Sequence, residues 1–467
     1  MNQELLTNRP FGTLAIGDSA SLTRTASRDD IDLFAALSGD VNPAHVDAAF
    51  AAHDLFGHIV VHGMWTGALV SAVLGTQLPG SGTIYLDQTL EFRHPVAPGD
   101  TITATVTVKE KRPDKRIVLL DTRCANQAGQ IVLMGTATVI APDQPLTVER
   151  TPRPDVSVRH HDRYEAFIRD ARARPTLRTA IVHPCSPDAL RAALEARDAN
   201  LLDPLLIGPE AKIRAAADAA QVSLAGIDIE PVEHSHAAAA RAVELGAAGK
   251  VAALMKGSLH TDELLAAVVA PTSGLRTDRR ISHVYAMDIP AYPKPLVITD
   301  AAINIAPSLD QKRDIRQNAI DLLRLLGVEQ PHVAVLAAVE TVNARMPATL
   351  DAAALTVMAA RGQISGAVVD GPLAFDNAIS AAAAQSKGIG SPVAGRADIL
   401  LVPDLEAGNM LAKQLMYFAG ADGAGLVLGA RLPIILTSRS DSLRVRIASA
   451  ALAKLVAERT AERGSIQ

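Results

Sequence analysis

The segment Ser38-Gly39-Asp40-Val41-Asn42-Pro43-Ala44-His45-Val46-Asp47 sets a carboxylate and an imidazole five residues apart, with Asn42-Pro43 between them. Asn-Pro favours a turn and interrupts regular helix, so Asp40 and His45 can be brought round to face one reacting atom. A carboxylate and an imidazole about a water molecule suit the addition or removal of water by general acid–base catalysis. The same residues also fit a polar loop at a helix end, with Asp40 as a cap and His45 on the surface. The pair alone leaves both readings open.

A further set of chemistry-bearing loops lies downstream. These are Lys256-Gly257-Ser258-Leu259-His260-Thr261, Thr299-Asp300-Ala301-Ala302-Ile303-Asn304, Asp370-Gly371-Pro372-Leu373, the stretch 403–409 ending in Asn409, and Thr437-Ser438-Arg439-Ser440-Asp441. Glycines permit close backbone approach, and Lys256 and Arg439 add positive charge, a combination that suits a phosphorylated ligand. Taken singly, each loop reads equally well as a polar turn at a strand end. Neither a Walker A sequence nor a Gly-x-Gly-x-x-Gly run is present, which argues against nucleotide hydrolysis and hydride transfer.

These residues need elements to position them. Ser27 is placed to cap a helix running toward Leu37, with Asp29 and Asp30 in its first turn and Gly39 at its end, so the helix delivers Asp40 into the loop. The apolar, small-residue stretch 57–74 predicts a buried helix in which Trp65 is packing. Thr101–Lys109 alternates apolar and polar residues with period 2, and 84–92, 116–126 and 130–140 do so less regularly. One buried helix and a run of antiparallel strands predict an α+β domain over 1–142 whose sheet wraps the helix. Four prolines among charged residues, followed by His160-His161, predict a linker over 143–162; the histidine pair reads as solvated, and no metal is assigned. Over 163–467, short apolar strands near 179–184, 205–209, 251–255, 295–298, 333–336, 366–369, 399–402 and 434–436 alternate with helices. That pattern predicts a parallel α/β sheet covered on both faces, with sites at the carboxyl ends of its strands.

The chain of 467 residues has room for two to four domains. Its net charge of −5 argues against nucleic acid or a membrane surface as partner. Cys124 and Cys185 fall in different predicted domains, which suggests no disulfide and a cytoplasmic protein. The start shows no signal pattern, and there is no apolar run of about 18 residues such as a membrane span requires.

Two families are recognisable. Residues from about Phe11 to Pro142 resemble the MaoC-like, (R)-specific enoyl-CoA hydratases, which have the hot-dog fold. The likeness rests on Phe34–His45, Val61-His62-Gly63-Met64, Tyr85–Phe92 and Pro95–Asp100. It implies that Asp40 and His45 activate the water that adds across an enoyl-CoA double bond. It further implies that the Gly63 backbone N–H binds the thioester oxygen and that Ser71 supports the active-site loop; with the acid–base pair assigned to Asp40 and His45, His62 reads as structural. From about Tyr164 to Val456 the chain resembles the phosphate acetyltransferase/phosphate butyryltransferase family, closer to its butyryl branch. Carrying segments are Leu254–Thr261, Arg280–Val284, Thr299–Asn304, Val368–Ala378, Ala394–Leu400, Glu406–Met410 and Leu436–Arg439.

The transferase resemblance implies two α/β subdomains, about 163–300 plus 431–467 and about 301–430. It also implies exchange of CoA and phosphate on an acyl group, in a cleft where Arg439 holds the phosphate and Ser438 the transferring group. Lys256, Gly257, Thr261, Asn304, Asp370, Gly371 and Asn409 are then candidate substrate or CoA contacts, and Arg276, Arg279 and Arg280 stand in for the arginines of the acetyl branch. Where that branch has an aspartate that deprotonates the thiol, this chain has Val445. Asp441 is the nearest carboxylate, and it fits a base or a helix cap. The expectation is a multidomain, bifunctional homo-oligomer acting on acyl-CoA and on phosphate or acyl phosphate, with no cofactor. Two alternatives stay open: a C-terminal acyl-CoA-sensing module without turnover, and a thioesterase at the N-terminus.

Overall fold

Period-2 alternation from Thr101 builds the strand Thr101–Arg112, which buries Ile102, Ala104, Val106 and Val108 on one face. A computed structural model describes residues 5–149, 151, 156, 158, 162–436 and 441–464. The chain divides into two units, Met1–Arg159 and His160–Gln467.

In the first unit an antiparallel sheet runs Ser19–Thr25, Thr101–Arg112, Ile117–Ala125, Ile131–Ile140, Ile84–Gln88, and Glu91–Phe92 also pairs with Ile131–Ile140. Against it lies the helix Gly63–Thr76, which buries Trp65, Leu69, Val70, Val73 and Leu74. Burying each of the Leu and Val side chains is worth about 1.5–3 kcal/mol, so the helix is a rigid platform for whatever its N-terminus carries. This is the hot-dog architecture expected from the sequence. Two strands escape the pattern. Ser19–Thr25 has only Ala20 and Leu22 as apolar residues, and Thr147–Glu149, within the stretch read as linker, pairs with Leu5–Thr7.

Among the described residues the second unit holds one sheet of eleven strands. Their order is Asp228–Pro231, Leu202–Gly208, Leu177–Val182, Ala253–Lys256, Ile434–Ile435, Asp422–Leu428, Ser282–Asp288, Leu296–Thr299, Ile399–Leu401, His332–Leu336, Val368–Leu373. Helices flank it, and its core is aliphatic. The sheet is mixed rather than wholly parallel. Ser282–Asp288 runs antiparallel to both its neighbours, and Asp422–Leu428 runs antiparallel to Ile434–Ile435. Of these central strands Asp422–Leu428 is the better hidden in the sequence, because Gly423 and Gly425 give it the composition of a turn. Gly425 sits in tight packing: a Cβ there would lie 3.0 Å from His283 Nε2.

The reversal has a consequence for the loops. Strands from Leu202–Gly208 to Ile434–Ile435 are parallel and open at one edge of the sheet. The group from Leu296–Thr299 to Val368–Leu373 points the other way and opens at the opposite edge.

Candidate active sites

In the first unit the helix Arg28–Ser38 is started by a capping box: the Ser27 hydroxyl accepts from the Asp30 N–H, and the Asp30 carboxylate accepts from the Ser27 N–H. It stops at Gly39, whose φ of +77° is a left-handed conformation that favours glycine. Asp40 follows directly. Asn42 accepts from the Ala44 N–H at 3.1 Å and Pro43 occupies the first turn, so the short helix Pro43–Val46 turns His45 back toward Asp40.

His45 Nδ1 lies 2.7 Å from the Val60 carbonyl oxygen. A carbonyl only accepts, so Nδ1 carries the proton and Nε2 keeps its lone pair, the arrangement of a base. His62 Nε2 donates in the same way to the Asp40 main-chain oxygen at 2.9 Å. One ligating side-chain atom from each of Asp40, His45 and His62 lies within 4.8 Å of the others. The carboxylate and the imidazole therefore do converge, with Asp40 exposed and His62 only 2% exposed.

Directly after His62 begins the helix Gly63–Thr76, with no side-chain cap on its first turn. Its positive pole is thus turned toward the same spot. A cavity of about 300 Å³ lies beside the helix start, lined by Val60, Val61, Gly63, Thr66, Phe92 and Val96 among others and not by Asp40 or His45. A Cβ on Gly63 would fall 2.9 Å from the Phe92 ring. Ser71, two turns along the helix, lines a separate groove of about 510 Å³ with Phe34, Met64, Tyr85, Leu86 and Leu90. The two cavities share no lining residue.

In the second unit Ala253–Lys256 pairs in parallel with Ile434–Ile435, so Lys256 and Leu436 leave the sheet at the same edge. Ser438 and Arg439 lie outside the described residues. Their described flanks, Leu436 and Asp441, both bear on Tyr285, the first by its place in the packing and the second through its charge. The Leu436 carbonyl faces Gly425 beside His283 and Tyr285, whose rings meet edge to face at 4.4 Å. Burial, and after it the Asp441 carboxylate, pushes the Tyr285 hydroxyl up to about 12. The cap of the helix Leu443–Gly464 is Ser442, which accepts from the Val445 N–H at 3.3 Å, so Asp441 is not its cap. Val445 is 8% exposed, and its carbonyl accepts from Ser449.

Similarity to known proteins decides what this second unit is related to. A family described as "Phosphate acetyl/butaryl transferase" matches residues 230–454, and one described as "MaoC like domain" matches residues 15–127. The chain is 58% identical over 297 residues to the phosphate acetyltransferase of Rhizobium meliloti, which covers 64% of this chain and 94% of that protein. The chain belongs to the phosphate acetyl/butyryl transferase family. Identity to the phosphate butyryltransferase of Clostridium beijerinckii is 40% over 285 residues, 61% of this chain and 94% of that one. These identities do not favour the butyryl branch that the sequence motifs suggested. Among solved structures, a branched-chain phosphotransacylase from Enterococcus faecalis is 30% identical, with a TM-score of 0.54 over 60% of this chain and 99% of that one.

Within the transferase part, the other predicted contacts separate. Gly257 is wedged against the end of Leu177–Val182: a Cβ would fall 2.4 Å from the Val182 oxygen and 2.6 Å from the His183 oxygen. Its glycine is explained by packing. Gly257→Ala is expected to destabilise the second unit by about 1–3 kcal/mol, read as a lower urea midpoint. Thr261 opens the helix Thr261–Val269, which borders a groove of about 1000 Å³ lined by Asp262, Leu265, Arg276, Arg279, Arg280 and Gln311 among others.

Asn304 is buried and fully engaged. Its amide donates to Asp300 and to the Ile281 oxygen, and its oxygen accepts from Arg280 Nε at 2.7 Å. It positions Arg280 at that groove. Asn409 donates to the Ala301 oxygen at 3.1 Å, which ties the helix Leu405–Tyr417 to the same turn. Asp370 and Gly371 stand apart. Their strand lies six strands from Ile434–Ile435, about 29 Å at roughly 4.8 Å per strand. Gly371 is packed against Val335, whose oxygen would lie 2.7 Å from a Cβ. The parallel-sheet expectation had put these loops at one edge, and the antiparallel centre sends them to another.

His283, Tyr285 and Asp300 were not singled out from the sequence; the alternation from Ser282 to Asp288 was the available signal. Burial holds the His283 imidazole down at about 4, with Asp300 opposing. Unfolded histidine titrates near 6.5, so between these values the unfolded chain binds more protons. The stability this group contributes is complete above pH 6.5 and is lost as pH falls toward 4. His283→Leu is expected to flatten the pH dependence of urea unfolding of this unit across that window.

Proposed function

We propose that the chain is a bifunctional acyl-CoA enzyme. Its first unit hydrates a trans-2-enoyl-CoA to the (R)-3-hydroxyacyl-CoA, and its second exchanges CoA and inorganic phosphate on an acyl group. The observation that carries the first half is the convergence of Asp40 and His45 beside an uncapped helix N-terminus and an apolar-lined cavity. In that reading His45 Nε2 and Asp40 take a proton from water as its oxygen bonds to C3, and a proton is returned to C2. The charge that develops on the thioester oxygen is met by the Gly63 N–H and the helix pole. The match to the MaoC like domain supports the same class of chemistry.

Family membership supports the second half. There the CoA thiol gives up its proton, with Asp441 as the candidate base, and the sulfur attacks the acyl-phosphate carbonyl as phosphate leaves. Arg439 would hold that phosphate and Ser438 the transferring group. Acyl-CoA, phosphate and acyl phosphate are the proposed small-molecule partners. A homo-oligomer fits the exposed apolar edge Ile84, Tyr85 and Leu86 of the first unit. Among the described residues no helix is long and apolar enough to cross a membrane.

Val445, buried where a family branch has an aspartate, favours one alternative: a second unit that binds acyl-CoA without turning it over. Acetyl-CoA or butyryl-CoA with phosphate separates the two, since release of CoA that requires phosphate supports the transferase. Crotonyl-CoA tests the first unit; release of free acid instead of hydroxyacyl-CoA would select a thioesterase.

A further inference from the structure

His62 touches both members of the acid–base pair and is itself sealed from solvent. Its Nε2–H is given to the Asp40 carbonyl at 2.9 Å, and its ring lies 4.0 Å from the His45 ring, tilted by 33°. Phe34 closes the other side at 5.0 Å. Capping does not explain the side chain: His62 occupies the N-cap position of Gly63–Thr76 yet makes no side-chain cap bond. Packing alone does not explain it either. Nδ1 is buried with no hydrogen-bond partner, a cost that a leucine of similar volume would avoid.

What an imidazole supplies here, and an aliphatic chain does not, is a donor to the Asp40 main chain combined with a flat face for His45. Asp40 follows Gly39 on an exposed turn whose other local ties are short-range: the Asp40 N–H donates to the Ser38 hydroxyl, the Val41 N–H to the Gly39 oxygen and the Asn42 N–H to the Asp40 carboxylate. The bond from His62 is the long-range one, reaching across 22 residues to anchor that turn on the central helix.

We propose that His62 is a positioning residue for hydration. It fixes the Asp40 backbone and supports the His45 ring, and so sets the separation of carboxylate and base. This rests on the hydratase reading above. Because His62 Nδ1 is closed off from solvent, it acts through the pair rather than on substrate, and its loss should lower kcat while leaving KM little changed.

The test uses the full chain with crotonyl-CoA. His62→Phe keeps a flat ring of similar volume and removes the donor; its kcat should fall about 10- to 100-fold, the scale of a small misplacement of reacting groups, with KM within about threefold. His62→Gln can present an N–H where Nε2 stands and should recover most of that loss. A wild-type rate in His62→Phe, or a His62→Gln as slow as His62→Phe with both variants folded, overturns the proposal. If either variant fails to fold, the imidazole ¹⁵N spectrum of the unmodified chain decides. His62 protonated at Nε2 supports the bond to Asp40, and protonation at Nδ1 alone refutes it. Absence of hydration by the wild-type chain would instead sink the hydratase reading, whatever the tautomer.

Discussion

Asp40→Asn and His45→Asn are each expected to lower hydration of crotonyl-CoA by about 10²- to 10⁴-fold, the range of a lost general acid or base. Neither should change phosphate-dependent acyl transfer. Both substitutions are chosen to keep the local structure. In Asp40→Asn the new amide oxygen can still accept from the Asn42 N–H, which the Asp40 carboxylate now holds at 3.2 Å. In His45→Asn the amide can donate to the Val60 oxygen as Nδ1 does at 2.7 Å, while lacking the second nitrogen. A large fall in rate without a fall in stability then reports chemistry. If hydration survives both changes, Asp40 and His45 are not the acid–base pair, and their convergence within 4.8 Å is a feature of the turn. Steady-state rates with both substrates on one preparation supply the comparison, because each half serves as the control for the other.

Arg439→Ala should produce the other large effect, a loss of acyl transfer of about 10²- to 10³-fold, comparable to removing one donor to developing charge. An acyl phosphate presents a dianionic group, and a guanidinium meets two of its oxygens at once with charge-assisted bonds. Arg439→Lys should recover little, since an ammonium offers a point charge in place of the planar fork. The arginine follows the strand Ile434–Ile435, whose parallel neighbour ends in Lys256, so positive charge is available at that edge of the sheet. Hydration should be unaffected. An Arg439→Ala chain that still releases CoA from acetyl-CoA at the wild-type rate in phosphate would exclude this residue from the transferase site. No release even by the wild-type chain would favour the binding-module alternative.

Much of the first unit was legible because its signals are local. Ser27 and Asp30 cap a helix through bonds three residues apart, Gly39 ends it by its own conformation, and Thr101–Arg112 alternates cleanly. The convergence of Asp40 and His45 was legible for the same reason, since Asn42-Pro43 turns the chain within five residues. What His62 does was not, because its partner Asp40 is 22 residues away and the bond runs from a side chain to a backbone oxygen that no residue type reveals.

In the second unit the strands with continuous apolar runs, such as Leu202–Gly208 and Ile399–Leu401, were visible. Strand direction was not. Alternation of strands and helices suggests a parallel sheet, and only long-range pairing shows that Ser282–Asp288 and Asp422–Leu428 reverse the sense in the middle. That reversal is why Asp370 and Gly371 were grouped with Lys256 from the sequence and stand far from it in the fold. Gly257 and Gly371 resembled ligand-cradling glycines; at both, a Cβ would also meet carbonyl oxygens of the adjoining chain.

The most direct measurement is the product that the purified chain makes from crotonyl-CoA, resolved by chiral chromatography and compared with the Asp40→Asn variant. The wild-type chain is expected to give (R)-3-hydroxybutyryl-CoA and the variant almost none. Unreacted substrate, free crotonate, or the same hydroxyacyl product from both proteins would contradict a hydratase built on Asp40 and His45.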